Sequence, residues 1–345
     1  MSLLKISKKI KPFNKKIIID GDKSLSIRWA LLASQANGIS RAYKLLKSED
    51  VLNTLNCLKK LGVKITLKKD YCEILGVGLN GYKYKKNLTL NTGNSGTLAR
   101  LILGLLVHSK KNIRLIGDKS LSKRDFSRVT EPLQKFGARF TSNKKSKLPL
   151  SIAGLEFAKP INYIEKKGSA QCKSSVMLAA LNTTGTTYIK AKKSRNHTEL
   201  LFKFLNLPIK IKKTKKFDFI KIKGKKNIQS FNYKIPADIS SSAFFIVLTA
   251  LSDNSKLLIK GVNINPSRTG IIKILKNMGV KILINNKKNY KGEIIADIFV
   301  KSSKNLKAVN CLPELNSSAI DEFLIIFLVA AKAKGVSFFK DLSEL

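Results

Sequence analysis

Apolar positions along this chain fall into two alternating kinds of segment. One kind is apolar nearly all round and is entered through small polar residues. Its clearest copy is Thr92-Gly93-Asn94-Ser95-Gly96-Thr97 leading into Leu98 to Val107. Such a run predicts a helix buried on every face, with Ser95 or Thr97 placed to cap it. The pattern returns in Asp22 to Ser26 before Arg28 to Ala36, Gly168 to Gln171 before Cys172 to Leu181, Asp238 to Ser241 before Ser242 to Leu251, and Asn316 to Ser318 before Ala319 to Ala331. The other kind is amphipathic and closes at a glycine ahead of a short strand: Leu58 to Ile65, Leu133 to Phe140 and Leu275 to Ile282, with Pro208 as the variant in Phe204 to Ile211. The markers 62, 137, 208 and 279 lie 75, 71 and 71 residues apart, so a unit of roughly 70 residues repeats. Short β-branched strands accompany each unit: Lys16 to Ile19, Asn112 to Ile116, Thr186 to Ile189 and Lys256 to Ile259. Helices packed on sheets in repeated units predict an α/β fold. The fifth unit has reached its first helix and the strand Val336 to Lys340 when the sequence stops at Leu345.

A glycine- and serine-rich helix start presents unpaired N–H groups and partial positive charge, which is a seat for an anion. For one such start alone, a capped core helix is the favoured reading. Recurrence is what points to ligands. Lys+Arg of 66 against Asp+Glu of 22 gives a net charge of +44, which also favours anionic partners. The lysine runs Lys8 to Lys11, Lys144 to Lys147 and Lys212 to Lys216 read as solvated surface within a general Lys, Ile and Asn bias, and no basic motif interleaved with aromatics marks an RNA binder. A nucleic-acid partner is therefore not expected. Cys57, Cys72, Cys172 and Cys311 are widely spaced, as in a reduced cytosolic protein rather than a disulfide scaffold or zinc site. The stretch before Pro12 lacks a secretory core, and Phe323 to Ala331 and Ala243 to Leu251 fall short of the ~18 residues of a membrane span. A soluble, cytoplasmic protein without membrane contact is expected.

With only His108 and His197 available, acid–base work falls to Lys, Asp and Glu. Neither G-x-G-x-x-G nor G-x-x-x-x-G-K-[ST] occurs between strand and helix, which argues against the usual nucleotide sites. Lys23, Ser24 and Arg28 place a point charge, a hydroxyl and a bidentate cation around one helix start, and Arg124 is the anion candidate in the basic loop 119–128. Arg100 reads as a packing or ion-pair residue. Gly168 to Ser175 supplies hydroxyls and an amide. Ser194 to Glu199 resembles a capping arrangement that leaves Arg195 facing a ligand. Capping is also the favoured reading of Asp238 to Ser242 and Pro266 to Gly270. Asp321 and Glu322 open an apolar helix, either as dipole-complementing acids or as a buried base, with Asp321 the candidate base.

Taken in order and spacing, Gly21-Asp22-Lys23-Ser24-Leu25-Ser26-Ile27-Arg28, Gly93-Asn94-Ser95-Gly96-Thr97, Lys123-Arg124, Gly168-Ser169-Ala170-Gln171, Ser194-Arg195-Asn196-His197-Thr198-Glu199, Asp238-Ile239-Ser240-Ser241, Asn265-Pro266-Ser267-Arg268-Thr269-Gly270 and Ile320-Asp321-Glu322 resemble the 5-enolpyruvylshikimate-3-phosphate synthase family. The resemblance runs the length of the chain. It implies two inverse α/β domains of βαβαββ-type repeats, the enolpyruvyl transferase fold. Residues 20–235 would form a complete three-repeat domain, and 1–19 with 236–345 a second domain lacking its C-terminal part. The site would be the cleft where helix starts of both domains converge. The implied reaction moves the enolpyruvyl group of phosphoenolpyruvate to the 5-hydroxyl of shikimate 3-phosphate, releasing phosphate, in aromatic amino-acid biosynthesis through chorismate. No metal or organic cofactor is implied, and a monomer is expected. By matching position, Lys23 would touch both substrates and act in catalysis. Ser24, Arg28, Ser169, Gln171, Arg195 and Asp321 would hold shikimate 3-phosphate. Asn94, Gly96, Arg124 and Gln171 would hold phosphoenolpyruvate. Asp321 would take the proton of the 5-hydroxyl.

Ile27, Leu101 and Asp125 depart from the family's usual Asn, Pro and Pro, and Asp125 puts an acid beside Arg124. The family's Arg-x-Lys-Glu-Ser-Asp-Arg and Asp-His-Arg stretches, which follow a segment like Asp341 to Leu345, are absent from this sequence, so impaired turnover is expected of it. Competing readings are the related UDP-N-acetylglucosamine enolpyruvyl transferase, whose reactive cysteine has no counterpart in the loop Gly117 to Phe126, and a non-catalytic remnant or basic nucleic-acid binder.

Overall fold

Contacts in the computed structural model divide the chain into two units, Gly21–Ile235 and Met1–Asp20 with Pro236–Leu345. The structure describes residues 5, 9–143, 145–343 and 345. Lys8 and Lys144 of the predicted surface runs, and Glu344 of the final stretch, lie outside the described residues. The remaining members of those runs are exposed or partly exposed.

In Gly21–Ile235 the helices are α1 (Lys23–Ser34), α2 (Glu49–Lys60), α3 (Gly96–Leu105), α4 (Ser127–Lys135), α5 (Ala170–Asn182) and α6 (His197–Phe204). They alternate with three sheets of one plan. A first strand runs parallel to a central one, and the central one pairs antiparallel with a third strand that also bonds a fourth. Leu88–Asn91, Ile113–Ile116, Leu150–Ala153 and Arg139–Ser142 fill these places in one sheet. Asn162–Glu165, Thr186–Lys192, Phe217–Lys223 and Ile209–Lys213 fill them in another. In the remaining sheet the parallel place beside Ala36–Tyr43 is taken by Ile228–Gln229 and Asn232–Lys234 from the unit's far end. The unit thus closes on itself.

The other unit holds α7 (Ile239–Leu251), α8 (Gly270–Asn277), α9 (Asn316–Ala319) and α10 (Phe323–Lys332). Asn14–Ile18 lies parallel to Lys256–Asn263, which continues through Glu293–Lys301 to Lys281–Tyr290 on the same plan. The predicted strand Val336 to Lys340 is confined to Phe338–Phe339, paired with Asn310–Cys311.

The predicted burial of the apolar helices holds in the first unit. Every residue of α1 from Leu25 and of α5 from Cys172 is buried. Helices α3 and α5 meet backbone to backbone at Gly104, where a Cβ would stand 2.1 Å from the Ser175 carbonyl oxygen. In the second unit the expectation fails. Phe244, Phe245 and Leu248 of α7, and Leu324 and Leu328 of α10, are exposed. Within the described residues α7 packs on α10, whereas α3 packs on both α1 and α5. A helix with fewer neighbours of its kind leaves a stripe uncovered.

Two boundaries also move. Helix α1 begins at Lys23 rather than Arg28, because Asp22 Oδ1 accepts the Leu25 N–H at 2.9 Å and so caps the earlier turn; Ala36, expected within it, begins a strand. The predicted helix Ala319 to Ala331 is broken at Ile320–Glu322, which sets Glu322 at the start of α10.

Beyond α3 the chain turns through His108, whose Nε2 lies 3.1 Å from Thr183 Oγ1. Burial first, then the charge of Lys225, pushes the imidazole down from 6.5 to about 4. The unfolded chain therefore takes up a proton that the folded chain resists, and stability is expected to fall as pH drops from about 6.5 to about 4. Urea midpoints across that range should decline less steeply for His108→Gln. Parallel declines would exclude this histidine as the cause. Among the described residues no helix is long and apolar enough to cross a membrane. The four thiols are all buried and unbridged, and burial raises each.

Candidate active site

Three buried helices of Gly21–Ile235 start with a side chain that turns back to cap them. Asp22 does so on α1, Ser95 Oγ accepts the Leu98 N–H at 3.2 Å on α3, and Ser169 Oγ accepts the Cys172 N–H at 3.2 Å on α5. Capping fixes where each first turn points, so the residues just after each cap stand at defined positions. Lys23 is half exposed, and its Nζ lies 3.3 Å from Asp50 Oδ2 in the first turn of α2. Arg28, one turn on, is buried. Its Nη1 donates to the Ser24 carbonyl at 3.1 Å, its Nε to Thr198 Oγ1 at 2.8 Å and its Nη2 to Ser174 Oγ at 3.3 Å. It thereby ties the start of α1 to α5 and α6, while Lys23 is the more exposed cation.

The starts of α3 and α5 are joined through Gln171. Its Oε1 accepts from Arg100 Nη1 at 2.7 Å and its Nε2 donates to Thr97 Oγ1 at 3.0 Å. Over Gly96 the guanidinia of two arginines converge. A Cβ there would lie 2.9 Å from Arg100 Nη1 and 3.2 Å from Arg124 Nη1. Burial, and then the charges of Arg124 and Arg128, lower the Arg100 pKa. Like charges held together beside helix starts make a seat that an anion would relieve. Asp125, the family departure, has a charge close enough to act on Arg100 and to offset part of that lowering. Its carboxylate accepts the Ser127 N–H at 2.8 Å and the Ser127 hydroxyl at the start of α4, and those bonds hold it below its ordinary range.

Gly96, Arg124 and Gln171 are thus brought to one place, with Ser169 two residues from Gln171. Asn94 instead donates to Asp118 Oδ2 at 2.6 Å, on the loop that leads to Arg124. Arg195 is half-buried just ahead of α6. The capping arrangement expected over Ser194 to Glu199 does not form. Asn196 precedes α6 without a side-chain cap, and Glu199 turns inward to Lys173, with Oε1 2.6 Å from Nζ and both side chains buried. Sequence reading missed the parts played by Asp50, Arg100, Ser174 and Thr198. For Asp50 the signal was an acid in the first turn of α2, which dipole complementation already explained.

Alanine at Gly96 is expected to weaken binding of a small anion at this seat about tenfold or more, since its methyl intrudes on the two guanidinia. Unchanged binding of inorganic phosphate by calorimetry would show that the guanidinia move aside without cost.

In the second unit Asp238 Oδ1 accepts the Ser240 N–H at 2.7 Å and caps α7 as predicted. Capping over Pro266 to Gly270 is corrected. Thr269 makes no cap, and the turn is made by Asn265, whose Oδ1 accepts the Ser267 N–H at 2.9 Å. Arg268, freed from capping, is buried with Nη2 3.9 Å from Asp321 Oδ2. Of the two acids before α10, Glu322 is the buried one and Asp321 stands 47% exposed, so Asp321 is not the buried base allowed by the pattern.

The chain is thus an α/β protein of two units built on repeated sheets, and in Gly21–Ile235 the capped starts of α3 and α5 are joined beside converging arginines. The family model for EPSP synthase (3-phosphoshikimate 1-carboxyvinyltransferase) matches residues 7–345. The chain is 43% identical over 329 residues to the 3-phosphoshikimate 1-carboxyvinyltransferase of Ruthia magnifica subsp. Calyptogena magnifica, covering 95% of this chain and 74% of that protein. It is 40% identical over 344 residues to the protein of that name from Thermoanaerobacter sp. (strain X514), covering 99% and 79%. The solved EPSP synthase from Acinetobacter baumannii matches with a TM-score of 0.84 at 36% identity, over 94% of this chain and 74% of that one. The chain belongs to the EPSP synthase family, and its architecture is the enolpyruvyl transferase fold.

Proposed function

We propose that the helix starts of Gly21–Ile235 seat the two anionic substrates of an enolpyruvyl transfer and that Asp321 serves as its base. The reaction is transfer of the enolpyruvyl group of phosphoenolpyruvate to the 5-hydroxyl of shikimate 3-phosphate with release of phosphate, a step toward chorismate and the aromatic amino acids. The observation that carries this reading is the convergence of Arg100 and Arg124 over Gly96, beside Gln171.

Phosphoenolpyruvate brings a phosphate and a carboxylate. Arg124 holds it bidentately, Gly96 leaves the room, and Gln171 and Asn94 orient it. Shikimate 3-phosphate is held by Lys23, Ser24, Ser169, Gln171 and Arg195, with Arg28 acting through its bonds to Ser24, Ser174 and Thr198. Lys23, steadied by Asp50, reaches both substrates. As the 5-hydroxyl oxygen adds to the enol carbon, Asp321 takes its proton and the methylene carbon gains one from the Lys23 ammonium. Loss of phosphate, with a proton of the new methyl returning to Lys23 and the Asp321 proton passing to the departing phosphate, restores the double bond. Fixing two anions in one geometry supplies much of the rate. The cytoplasmic setting is part of the same reading and is supported by four buried thiols.

Phosphate release should require both substrates, with shikimate 3-phosphate binding measurable by calorimetry. Binding of a nucleotide-sugar acceptor with no binding of shikimate 3-phosphate would overturn the proposal.

A further inference from the structure

In the second unit one guanidinium faces three carboxylates. Arg268 Nη2 donates to Ser240 Oγ at 2.5 Å and lies 3.8 Å from Asp238 Oδ1, 3.9 Å from Asp321 Oδ2 and 3.9 Å from Glu322 Oε1. The Ser240 hydroxyl donates in turn to Glu322 Oε1. Arg268, Asp238 and Glu322 are buried, and the Asp238 carboxylate is anchored by backbone. The Asp238 carboxylate caps α7, and Glu322 is the residue from which α10 starts. Asp321 differs from its neighbours. It lies on the turn between α9 and α10, and its side chain reaches solvent.

We propose that Arg268 is a positioning residue for the Asp321 carboxylate, an inference that rests on the reading of Asp321 as the base. A side chain on an exposed turn between two helices samples several rotamers unless something holds it. A buried guanidinium fixed between Asp238, Ser240 and Glu322 cannot follow Asp321, so the carboxylate must come to the guanidinium. Arg268 thereby fixes the Oδ2 side of the Asp321 carboxylate. The surplus of acids has a reason in the same geometry. When Asp321 becomes neutral on taking the proton, Asp238 and Glu322 remain as counter-charges, and Arg268 is not left as an uncompensated buried cation. Ser240 carries the connection by accepting from Arg268 and donating to Glu322.

The test is a double-mutant cycle on the full chain, with turnover read by phosphate release, shikimate 3-phosphate binding by calorimetry and folding by thermal melting. Arg268→Gln is expected to lower kcat by about tenfold to a hundredfold with KM values within about threefold, and to cost less than about twofold once Asp321 is already Asn. Ser240→Ala, a milder change for use where Arg268→Gln does not fold, should follow the same non-additive pattern with a smaller loss. Equal losses in the two backgrounds, or a loss confined to KM, would overturn the positioning role. Undiminished turnover in Asp321→Asn alone would instead overturn the reading of Asp321 as base.

Discussion

Asp321→Asn is expected to lower kcat by about two to four orders of magnitude while both KM values stay within about threefold. The amide keeps the shape and a hydrogen-bonding oxygen, so binding is largely preserved, but it cannot accept the proton of an attacking hydroxyl near neutral pH. With two histidines in the chain, one beyond α3 and the other buried at the start of α6, the acids are the first candidates for the base. Among the acids around the sites, Glu322 and Asp238 are buried and held by Ser240 or by backbone N–H groups, Asp125 is held by Ser127, and Asp118 by Asn94 and the Leu121 N–H. Asp321, on the turn before α10, combines solvent access with a nearby cation. Phosphate release under saturating substrates is the measurement. A kcat within threefold of the parent would move the role to another acid, and Asp50, 3.3 Å from the Lys23 ammonium, would be the next to examine.

How far the chain could be read in advance differs between its elements. Helix starts were legible, because small polar residues ahead of an apolar run are there to cap it, and Ser95, Ser169 and Asp238 all do. The repeat was legible because three units close with the same glycine turn, at Gly62, Gly137 and Gly279, each with positive φ. Side-chain partners were not. Lys23 meets Asp50 and Lys173 meets Glu199 only after helices separated by an intervening strand come together, and no local pattern encodes that approach. Arg268 was hidden in a stretch whose Ser, Thr and Gly read as a cap, whereas the turn is made by Asn265, one residue earlier. Burial was misread in α7 and α10 because apolar composition states what a helix tolerates, while neighbours decide what it covers.

Lys173→Met is expected to destabilise the unit Gly21–Ile235 by about 3–5 kcal/mol. The ion pair with Glu199 joins the fourth residue of α5 to the first turn of α6, and both side chains are shut off from water. Removing the cation alone strands a buried carboxylate, which costs far more than the pair contributes. Lys173→Met with Glu199→Leu replaces both charges by apolar groups and should recover most of the loss, or exceed the parent. The sole tryptophan, Trp29, is fully buried in α1 of the same unit, so its fluorescence during urea unfolding follows this unit. The two helices joined by the pair also carry Ser169, Gln171 and, just ahead of α6, Arg195. The single variant should therefore weaken shikimate 3-phosphate binding at urea concentrations well below its midpoint, and the double variant should restore it. A single variant within 1 kcal/mol of the parent would mean that Glu199 escapes to water or takes up a proton at little cost, and that the starts of α5 and α6 are held together by packing and the Arg28 bonds instead.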